Sequence, residues 1–567
     1  MVPYADYMGT YRLQAVNDEI IAPSLSALTN RLLCARGITA DSVAAFLAPN
    51  YETELHDPFL LHDMDTAVVR IGTAMEQNEC IVIYSDYDCD GIPGAVVLHD
   101  CFTALKYPNF INYIPHRHYE GFGLNTKALD TLKERGARLL ITIDCGTSDV
   151  DAITYANEIG IDVIVTDHHE PPAELPKAVA IINPKLGGYP FPDLCGAAVA
   201  FKLSQALLVR TKHSLPPGSE KWWLDMVGIA TVADMVPLTG ENRVLAHYGL
   251  KVLRKSKRPG LQKLLQKNRV DQRFLSEEDI GFTIGPRINA ASRMDTPEDA
   301  FHMLCETDVV AAGIRVDHLE KLNKERKAMV AVMTKELNKR LEHLEEIPPV
   351  LVIGHPDWRP ALVGLAANKL AETYHRPVFL WGRDGNGVYK GSCRSGGTVS
   401  VVTLMDAAAE SFLEHGGHHF SGGFSVRDES IFSLSETLNE AFVRLGNEAM
   451  IEEEIMIDAE LSLDAVTNAM MDELTLLAPF GTGNAKPLFS FQLAVPRKVE
   501  QFGKEQEHLK LVFETKSGTL EAIAFFAKAE DFARPPTAGE PMTLIGYIER
   551  SYFMNRPQIR IRIVDSI

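Results

Sequence analysis

The sequence predicts an α/β protein: a parallel doubly wound sheet, joined by a long helix to a second α/β domain and followed by a small C-terminal β-barrel. Between residues 80 and 166, short runs of Ile, Val and Leu alternate with helical stretches, as in parallel sheets buried on both faces. Residues 311–346 are charged and helix-prone over their whole length. After about residue 450, short strands of alternating polarity follow one another, which is typical of a small barrel.

The first α/β region reads as strands and helices in strict alternation. The strands are predicted at 80–85, 109–115, 138–143 and 161–166, and the helices at 91–105, 124–136 and 150–160. Pro93 falls in the first turn of its helix, where a missing N–H does no harm, and Gly136 is a favoured C-terminal stop. In the second region a strand at 350–355, a helix near 361–373 and a strand near 376–381 are predicted.

These patterns divide the chain into five predicted parts. They are an N-terminal helical extension at 1–78, a first α/β domain at 79–310, a connecting helix at 311–346, a second α/β domain at 347–450 and a barrel at 451–567.

Composition limits the class of protein. The chain has 567 residues, of which 46% are apolar and 23% charged, so it is globular rather than disordered or fibrous. No apolar run approaches the roughly 20 residues of a membrane-spanning helix, and the N-terminus shows no secretory signal. The eight cysteines form no CxxC pair. We therefore expect a cytoplasmic protein without membrane contact. We also expect a monomer, because a chain of this size could close a cleft between lobes alone.

Acids or histidines follow three of the predicted core strands, and a further acid interrupts an apolar segment. In open α/β sheets, ligands bind at the carboxyl ends of the strands, so these side chains are expected at one edge. A surface turn, a core histidine pair or a helix cap explains each cluster alone, but their joint order favours a shared site. The residues are Asp86, Asp88 and Asp90 in SDYDCDG, Asp144 in IDCG, Asp167, His168 and His169 in TDHHE, and Asp234 in ATVADMV.

A set of carboxylates with imidazole is typical of Mn²⁺ or Mg²⁺ sites, and the imidazole favours Mn²⁺. Five or more protein ligands exceed what one octahedral ion takes while leaving positions open for substrate. Two ions that share a bridging carboxylate fit better. Such a pair, about 3.5–4 Å apart, supports hydrolysis of a phosphodiester.

The ordered set of motifs resembles the DHH phosphoesterase superfamily. IGPRINAASRMD (284–295), KGSCRS (390–395), GGHHFSGGF (416–424) and LAPFGTGNAKPLF (477–489) are similar to motifs of its single-stranded-DNA-specific exonucleases. The resemblance runs from about residue 60 to the C-terminus. It implies a DHH domain, a DHH-associated domain and an OB-fold. It also implies an exonuclease of DNA repair and recombination, dependent on Mn²⁺ or Mg²⁺, that removes mononucleotides from the 5′ ends of single strands.

The resemblance also implies roles for individual residues. Asp144 is the expected bridge between the two ions, Asp86 binds or orients a ligand, and His169 stabilises the scissile phosphate or a water. Pro93 and Ser292 depart from the family pattern, and neither is an expected metal ligand. The expected metal ligands are Asp88, Asp90, Asp144, His168 and Asp234.

Polar residues beside the motifs predict contacts with phosphate, because Arg binds phosphate in a bidentate manner. Ser392 and Arg394, completed by Arg287, are expected to form a pocket for a 5′-terminal phosphate. The alternative is a surface ion pair or, for His418, a structural hydrogen bond. The predicted substrate-binding residues are Arg117, Arg287, Arg293, Ser392, Arg394 and His418.

Two further regions predict weaker contacts with DNA, although the chain carries a net charge of −20. Residues 251–273 hold nine Lys or Arg and one acid, and the C-terminal barrel has arginines beside Tyr552 and Phe553. A solvated helix face and ordinary barrel packing are the alternatives. The residues concerned are Lys255, Lys257, Arg258, Arg556 and Arg560.

Two other functions stay open from the sequence. One is a phosphodiesterase for short oligoribonucleotides or cyclic dinucleotides, against which the length and the OB-like C-terminus argue. The other is a non-catalytic DHH scaffold in a replication complex, although such proteins tend to lose metal ligands and this chain keeps them. The expected substrate is single-stranded DNA with a free 5′ end, and a single-strand-binding protein and a helicase are candidate partners.

Overall fold

A computed structural model gives the fold. It describes residues 11–16, 19–384, 387–397, 399–446, 455–551 and 557–567. Contacts divide the chain into two compact units, one of residues 51–450 and one that combines residues 1–50 with 451–567. Among the described helices, none combines the length and the hydropathy that crossing a bilayer requires.

In the described residues the strands form four sheets. In chain order the strands are β1 (Tyr11–Leu13), β2 (Cys80–Ser85), β3 (Phe110–Tyr113), β4 (Ala137–Ile143), β5 (Asp162–Thr166), β6 (Ala180–Ile182), β7 (Leu351–Gly354), β8 (Val378–Arg383), β9 (Tyr389–Arg394), β10 (Phe412–Gly417), β11 (Ser421–Val426), β12 (Ile455–Ile457), β13 (Ala459–Leu461), β14 (Leu488–Ala494), β15 (Lys498–Phe502), β16 (His508–Thr515), β17 (Gly518–Phe525), β18 (Met542–Ser551) and β19 (Gln558–Ser566).

The α-helices lie between and around these strands. In chain order they are α1 (Ala27–Ala35), α2 (Val43–Leu47), α3 (Tyr51–Glu54), α4 (Met64–Glu76), α5 (Gly91–Ala104), α6 (Thr126–Glu134), α7 (Val150–Glu158), α8 (Gly196–Arg210), α9 (Leu224–Ala233), α10 (Gly240–Leu253), α11 (Pro259–Lys267), α12 (Glu277–Asp279), α13 (Gly285–Met294), α14 (Glu298–Cys305), α15 (Val309–Leu341), α16 (Pro360–Tyr374), α17 (Val401–Asp406), α18 (Leu434–Arg444) and α19 (Asn468–Leu476).

The first sheet has the order β3-β2-β4-β5-β6, and all of its strands are parallel. Alternate residues of β2 point to opposite faces, so Ile81 and Ile83 pack in one core with α5 and α8. Val82 and Tyr84 pack in a second core with α6 and α7. The continuous apolar run of β2 thus follows from burial on both faces, and the predicted doubly wound sheet is confirmed.

The second lobe of this unit is also α/β. Its sheet has the order β10-β11-β9-β8-β7, in which β7 and β8 are parallel and the other neighbours antiparallel. The predicted connecting helix is confirmed as α15, with 33 residues. Its C-terminal half buries Met333 and Leu337 against Leu362 of α16 and Leu380 of β8.

The other unit is built on a seven-stranded sheet with the order β13-β14-β18-β19-β17-β16-β15. Phe489, Phe491 and Phe513 form the centre of its core. Leu32 and Leu33 of α1 are fully buried in the same core. The structure therefore groups the first fifty residues with the C-terminal sheet, whereas the sequence analysis treats residues 1–78 as one extension.

Candidate active site

Acids stand directly after three neighbouring strands of the first sheet. Each continues the backbone hydrogen-bond ladder by one residue: the N–H of Asp86 donates to the last residue of β4, that of Asp144 to the last residue of β5 and that of Asp167 to the last residue of β6. The N···O distances are 3.0, 3.0 and 3.1 Å. Because this ladder fixes the backbone of all three acids, their carboxylates are brought to one edge of the sheet, as predicted.

Two glycines allow the helices to begin close against these acids. A Cβ at Gly91 would lie 2.5 Å from the carbonyl oxygen of Asp86, and one at Gly196 would lie 2.6 Å from Cβ of Asp144. Asp144 itself has a φ of 61°, in the left-handed region that a non-glycine residue rarely adopts. The crowded backbone therefore leaves no room for side chains at either glycine, and it holds Asp144 in a strained conformation.

The N-terminus of α8 holds Asp90. The backbone N–H groups of Gly196 and Ala197 donate to the two oxygens of its carboxylate over 2.5 and 2.8 Å. The Asp88 carboxylate in turn accepts from the backbone N–H of Asp90 at 2.7 Å. The positive end of a helix stabilises a carboxylate, so α8 positions Asp90 and opposes the effect of burial, which raises the pKa of Asp90 to about 6.

His168 lies at the point where three acids from different elements meet. Its Nε2 is 3.1 Å from Asp144 Oδ1, 3.6 Å from Asp90 Oδ2 and 3.8 Å from Asp234 Oδ2. Asp234 comes from the C-terminal end of α9, far along the chain. Burial, together with the charge of His169, lowers the pKa of His168 to about 3. The imidazole is therefore neutral, with a lone pair available to a cation.

His169 is held in a different way. Its Nδ1 lies 2.8 Å from Oδ1 of Asp167, and Asp167 also accepts from the backbone N–H groups of His168 and Thr147 at 2.7 and 2.9 Å. Burial opposes the charged form of His169. The hydrogen bond and the negative charge of Asp167, with those of Asp234 and Asp90, outweigh it and raise the pKa of His169 to about 9. His169 thus carries a proton at neutral pH.

The five acids of the cluster repel one another in a buried setting. Burial, followed by the charge of Asp88, raises the pKa of Asp86 well above its usual value. Burial, followed by the charges of Asp90 and Asp88, raises the pKa of Asp144 well above its usual value. The same causes raise the pKa of Asp234 to about 9. A bound divalent cation would remove this repulsion, because it places positive charge among the carboxylates.

The donor atoms fit two cations. One atom from each residue lies within 4.8 Å of the others in three groups: Asp86, Asp88 and Asp144; Asp144, His168 and His169; Asp90, His168 and Asp234. Within the described residues, Oδ1 of Asp86 and of Asp144 is buried without a hydrogen-bond partner. Because Asp144 belongs to two groups, it is placed to bridge two ions. Every predicted metal ligand belongs to at least one group.

Arg117 and Arg293 lie near the acids, since the charge of Arg117 acts on Asp86 and that of Asp88 acts on Arg293. The guanidinium of Arg117 stacks 4.8 Å above the ring of Tyr87. Burial, followed by the charges of Arg117 and Arg326, lowers the pKa of Arg293 to about 9, and Arg394 adds to this effect. Arg293 therefore lies where three other guanidinium charges act on it, and such an excess of positive charge suits an anion.

A cavity of about 430 Å³ lies between the two lobes of residues 51–450. Arg117 and Phe122 line it from the first lobe, and Lys390 and Ser392 line it from the second. Its volume suits a ligand of about the size of a nucleotide. His418 lies on the exposed turn between β10 and β11, where its N–H donates to Ser421 (2.8 Å), and its charge contributes to the low pKa of His168.

The structure contradicts two predicted contacts. Arg287 is 7% exposed, and its Nε donates to Glu320 (2.6 Å) while Nη1 donates to the carbonyl of Thr283 (2.9 Å), so it ties α13 to α15 instead of facing a substrate. Arg258 is half-buried between Asp225 and Asp100, which lie 2.8 and 2.5 Å from its guanidinium. Both arginines are thus neutralised inside the protein.

The other residues predicted as weaker DNA contacts differ in exposure and in ion pairing. Lys255 and Lys257 are exposed. Arg560 lies 5.4 Å above the ring of Phe525, beside Arg562 at 4.5 Å, but it also pairs with Glu549. Arg556 lies outside the described residues.

Two residues of the site have no predicted role: Asp167 is placed in the cluster without one, and Arg326 is not singled out. Asp167 directly precedes the two histidines and follows a strand, so its position in the sequence could have predicted a role at the site. Arg326 lies within the charged helix α15, where its Nη2 donates to Asn323 (2.9 Å), and no local pattern distinguishes it from the other basic residues there.

Comparison with known proteins agrees with this architecture. Family models match in chain order: the DHH family N-terminal domain at residues 80–231, the DHHA1 domain at 348–444 and the RecJ OB domain at 457–565. A solved structure of RecJ with Mn²⁺ from Thermus thermophilus superposes with a TM-score of 0.82 at 25% identity. That alignment covers 98% of this chain and 79% of the other.

Curated relatives give the same result. The single-stranded-DNA-specific exonuclease RecJ of Bacillus subtilis is 34% identical over 96% of this chain and 68% of its own length. The protein of the same name from Salmonella typhimurium is 33% identical over 82% of this chain and 84% of its own length. These matches confirm the resemblance that the motifs indicate, and the chain belongs to the RecJ family of DHH phosphoesterases.

Proposed function

We propose that this protein is a single-stranded-DNA-specific 5′→3′ exonuclease that releases mononucleotides by two-metal-ion hydrolysis, in DNA repair and recombination. One observation carries the proposal: Asp144 belongs to two groups of ligand atoms, and within the described part of the chain its Oδ1 is buried without a hydrogen-bond partner. The curated relatives are named single-stranded-DNA-specific exonucleases, which supports the choice of substrate.

Asp88, Asp90, Asp144, His168 and Asp234 would hold the two cations, with Asp144 shared. Bound Mn²⁺ or Mg²⁺ supplies a Lewis acid for the scissile phosphate and a water of lowered pKa. Solved RecJ structures with Mn²⁺ from two separate determinations resemble this chain at 25% and 30% identity, which supports the choice of ion.

Side chains of the protein itself bind and orient the phosphate. His168 is kept neutral by burial, so it presents a lone pair. His169 is kept protonated by Asp167, so its Nε2–H can donate to a non-bridging oxygen of the phosphate as negative charge develops there. Arg117 and Arg293 would orient the phosphate. Asp86 would add a carboxylate oxygen beside Asp88 and Asp144.

The surroundings of the cavity support the proposed polarity. A 5′ end differs from the chain interior by its terminal phosphate, and Ser392 with Arg394 offers a hydroxyl and a guanidinium for that group. Gly364 allows this, since a Cβ there would lie 3.2 Å from Ser392 Oγ and from Nη2 of Arg394. Because Arg287 is engaged with Glu320, we assign its expected part in this pocket to Arg117 and Arg293.

The test uses single strands labelled at either end, with Mn²⁺. The proposal expects labelled mononucleotide at once from the 5′ label and only at the end of digestion from the 3′ label. Early release from the 3′ label would contradict the polarity. Preferential cleavage of dinucleotides would instead favour the short-substrate phosphodiesterase, and no cleavage of either would favour the non-catalytic scaffold.

A long polymer is favoured over a dinucleotide by the C-terminal sheet. Arg560 and Arg562 both lie over Phe525, an arrangement that suits a stacked base beside a phosphate. The exposed Lys255 and Lys257 remain candidates for further backbone contacts. The domain boundaries, the partner proteins, the monomeric state and the cytoplasmic location given in the sequence analysis stay predictions.

A further inference from the structure

A second cluster of ligand atoms lies at the far end of α5. His99 and Asp100 belong to its last turns, and Cys305 is the last residue of α14. One donor atom from each lies within 4.8 Å of the others. Asp100 follows Asp90 by ten residues, so the cluster is about 15 Å along the helix from the proposed active site.

The imidazole of His99 is held in place before any ligand binds. Its ring packs edge-on against Phe110 and Phe301, with centroid distances of 5.3 and 5.4 Å. Its Nδ1 lies 2.9 Å from the side-chain amide of Asn112. Among the described residues, Oδ1 of Asn112 is buried and has no partner. Turning this amide by 180° lets Oδ1 accept from Nδ1–H, which pairs these two atoms and leaves the Nε2 lone pair free.

Asp100 is oriented as well. Arg258 Nη2 lies 2.5 Å from one oxygen of Asp100, and the same guanidinium pairs with Asp225 at 2.8 Å. The single positive charge of Arg258 is shared by the carboxylates of Asp100 and Asp225. One negative charge therefore remains uncompensated beside Cys305. In the part of the chain that the structure describes, no hydrogen bond engages the other oxygen of Asp100. The side chain of Asp100 is 22% exposed, which gives an ion a path to it.

We propose that His99, Asp100 and Cys305 form a second cation site, which takes a borderline-soft divalent ion of the Zn²⁺ class. An imidazole, a carboxylate and a thiolate are ligands that Zn²⁺ accepts, with a water as the fourth, whereas Mn²⁺ and Mg²⁺ prefer oxygen. On binding, a metal–sulfur bond forms, the S–H bond of Cys305 breaks and the proton leaves to solvent. Asn112 is a positioning residue, since it acts through His99.

The test is a titration of the whole protein with Cd²⁺ in excess Mg²⁺, followed by the ultraviolet charge-transfer absorption of a cadmium–thiolate bond. We expect the band to saturate at one equivalent in the unchanged protein and to be lost in Cys305→Ser. We expect the affinity to fall at least about tenfold in His99→Asn, and about 10–100-fold in Asn112→Ala, as for other outer-shell partners of a ligand. Cys80→Ser is the matched control, because Cys80 is half-buried and belongs to none of the three-residue groups among the described residues.

Absence of the band in the unchanged protein would overturn the proposal. A band that persists in Cys305→Ser would also overturn it, because it would assign the ion to a cysteine beside the active site such as Cys89 or Cys145. Exonuclease activity with Mn²⁺ shows whether each variant is folded. If Cys305→Ser does not fold, His99→Asn decides, and an unchanged affinity for Cd²⁺ in that variant would refute the site.

Discussion

His169 Nδ1 lies 2.8 Å from Asp167 Oδ1, and this pair connects the end of β5 to the acid cluster. The carboxylate keeps the imidazole protonated and oriented, so each residue depends on the other. We expect His169→Gln to lower kcat with Mn²⁺ by about a hundredfold or more, and Asp167→Asn by about 10–100-fold.

The double variant Asp167→Asn/His169→Gln distinguishes this dependence from two separate roles. If Asp167 acts through His169, the double variant is no slower than His169→Gln alone. Independent, multiplying losses would contradict the pairing. Asp151→Asn, on the exposed face of α7, is the control and should leave kcat unchanged.

The acid cluster also predicts how stability changes with pH when a chelator removes all metal. The pKa of Asp90 is raised to about 6 and that of Asp234 to about 9, above the usual value of 3.8, by burial and mutual repulsion. The folded protein therefore holds protons that the unfolded chain has already released. The stability that this protonation provides is present at acid pH and is lost as the pH rises through about 6 and then about 9.

We accordingly expect the melting temperature of the metal-free protein to fall between pH 5 and pH 9. Asp234→Asn should make that fall shallower, because an amide does not titrate. Saturating Mn²⁺ should remove most of the fall, since cations replace the protons. If the melting temperature falls equally with pH in Asp234→Asn and in the unchanged protein in chelator, the cluster does not cause the fall.

Substitution of Arg394 tests whether this residue recognises the 5′-terminal phosphate of the DNA. Loss of a hydrogen bond to a charged group costs about 1.5–3 kcal/mol, which is about 10–100-fold in kcat/KM. Arg394→Ala should therefore reduce cleavage of 5′-phosphorylated strands by that factor, with a much smaller loss on 5′-hydroxyl strands. Equal losses on the two substrates would place Arg394 elsewhere on the DNA.

The basic segment 251–273 is predicted to contribute to the salt dependence of DNA affinity. Lys255 and Lys257 are exposed, whereas Arg258 is an internal ion-pair partner, so only the two lysines should be changed. If both contact phosphates, the double variant Lys255→Ala/Lys257→Ala should reduce the slope of log affinity against log salt by about 1.4 for a single strand. Lys127→Ala, exposed on α6, is the control. An unchanged slope in the double variant would make 251–273 a solvated surface.

The sequence was most informative where local pattern and topology agree. Continuous apolar strands followed by acids predict both the parallel sheet and the edge at which Asp86, Asp144 and His168 meet. It was misleading for Arg287, which stands in a motif flanked by Gly and Pro but is paired with Glu320 on another helix. Pairing of this kind depends on tertiary packing, which no local pattern contains.

The same limit applies to the first fifty residues. The side chain of Ser26 donates to Glu473 at 2.5 Å, and Leu33 is buried in the core of the C-terminal sheet. Such contacts join residues more than four hundred positions apart, so an amphipathic helix can be predicted from sequence while its partner cannot.

Asp144 is expected to bridge two cations at the edge of the first sheet. The most direct test is diffraction from crystals soaked in Mn²⁺, with anomalous data collected at the manganese edge. We predict two peaks about 3.5–4 Å apart that share Asp144, one beside Asp88 and one beside Asp90 and His168. A single peak, or peaks only at a more exposed group such as Asp295, Asp299 and His318, would contradict it.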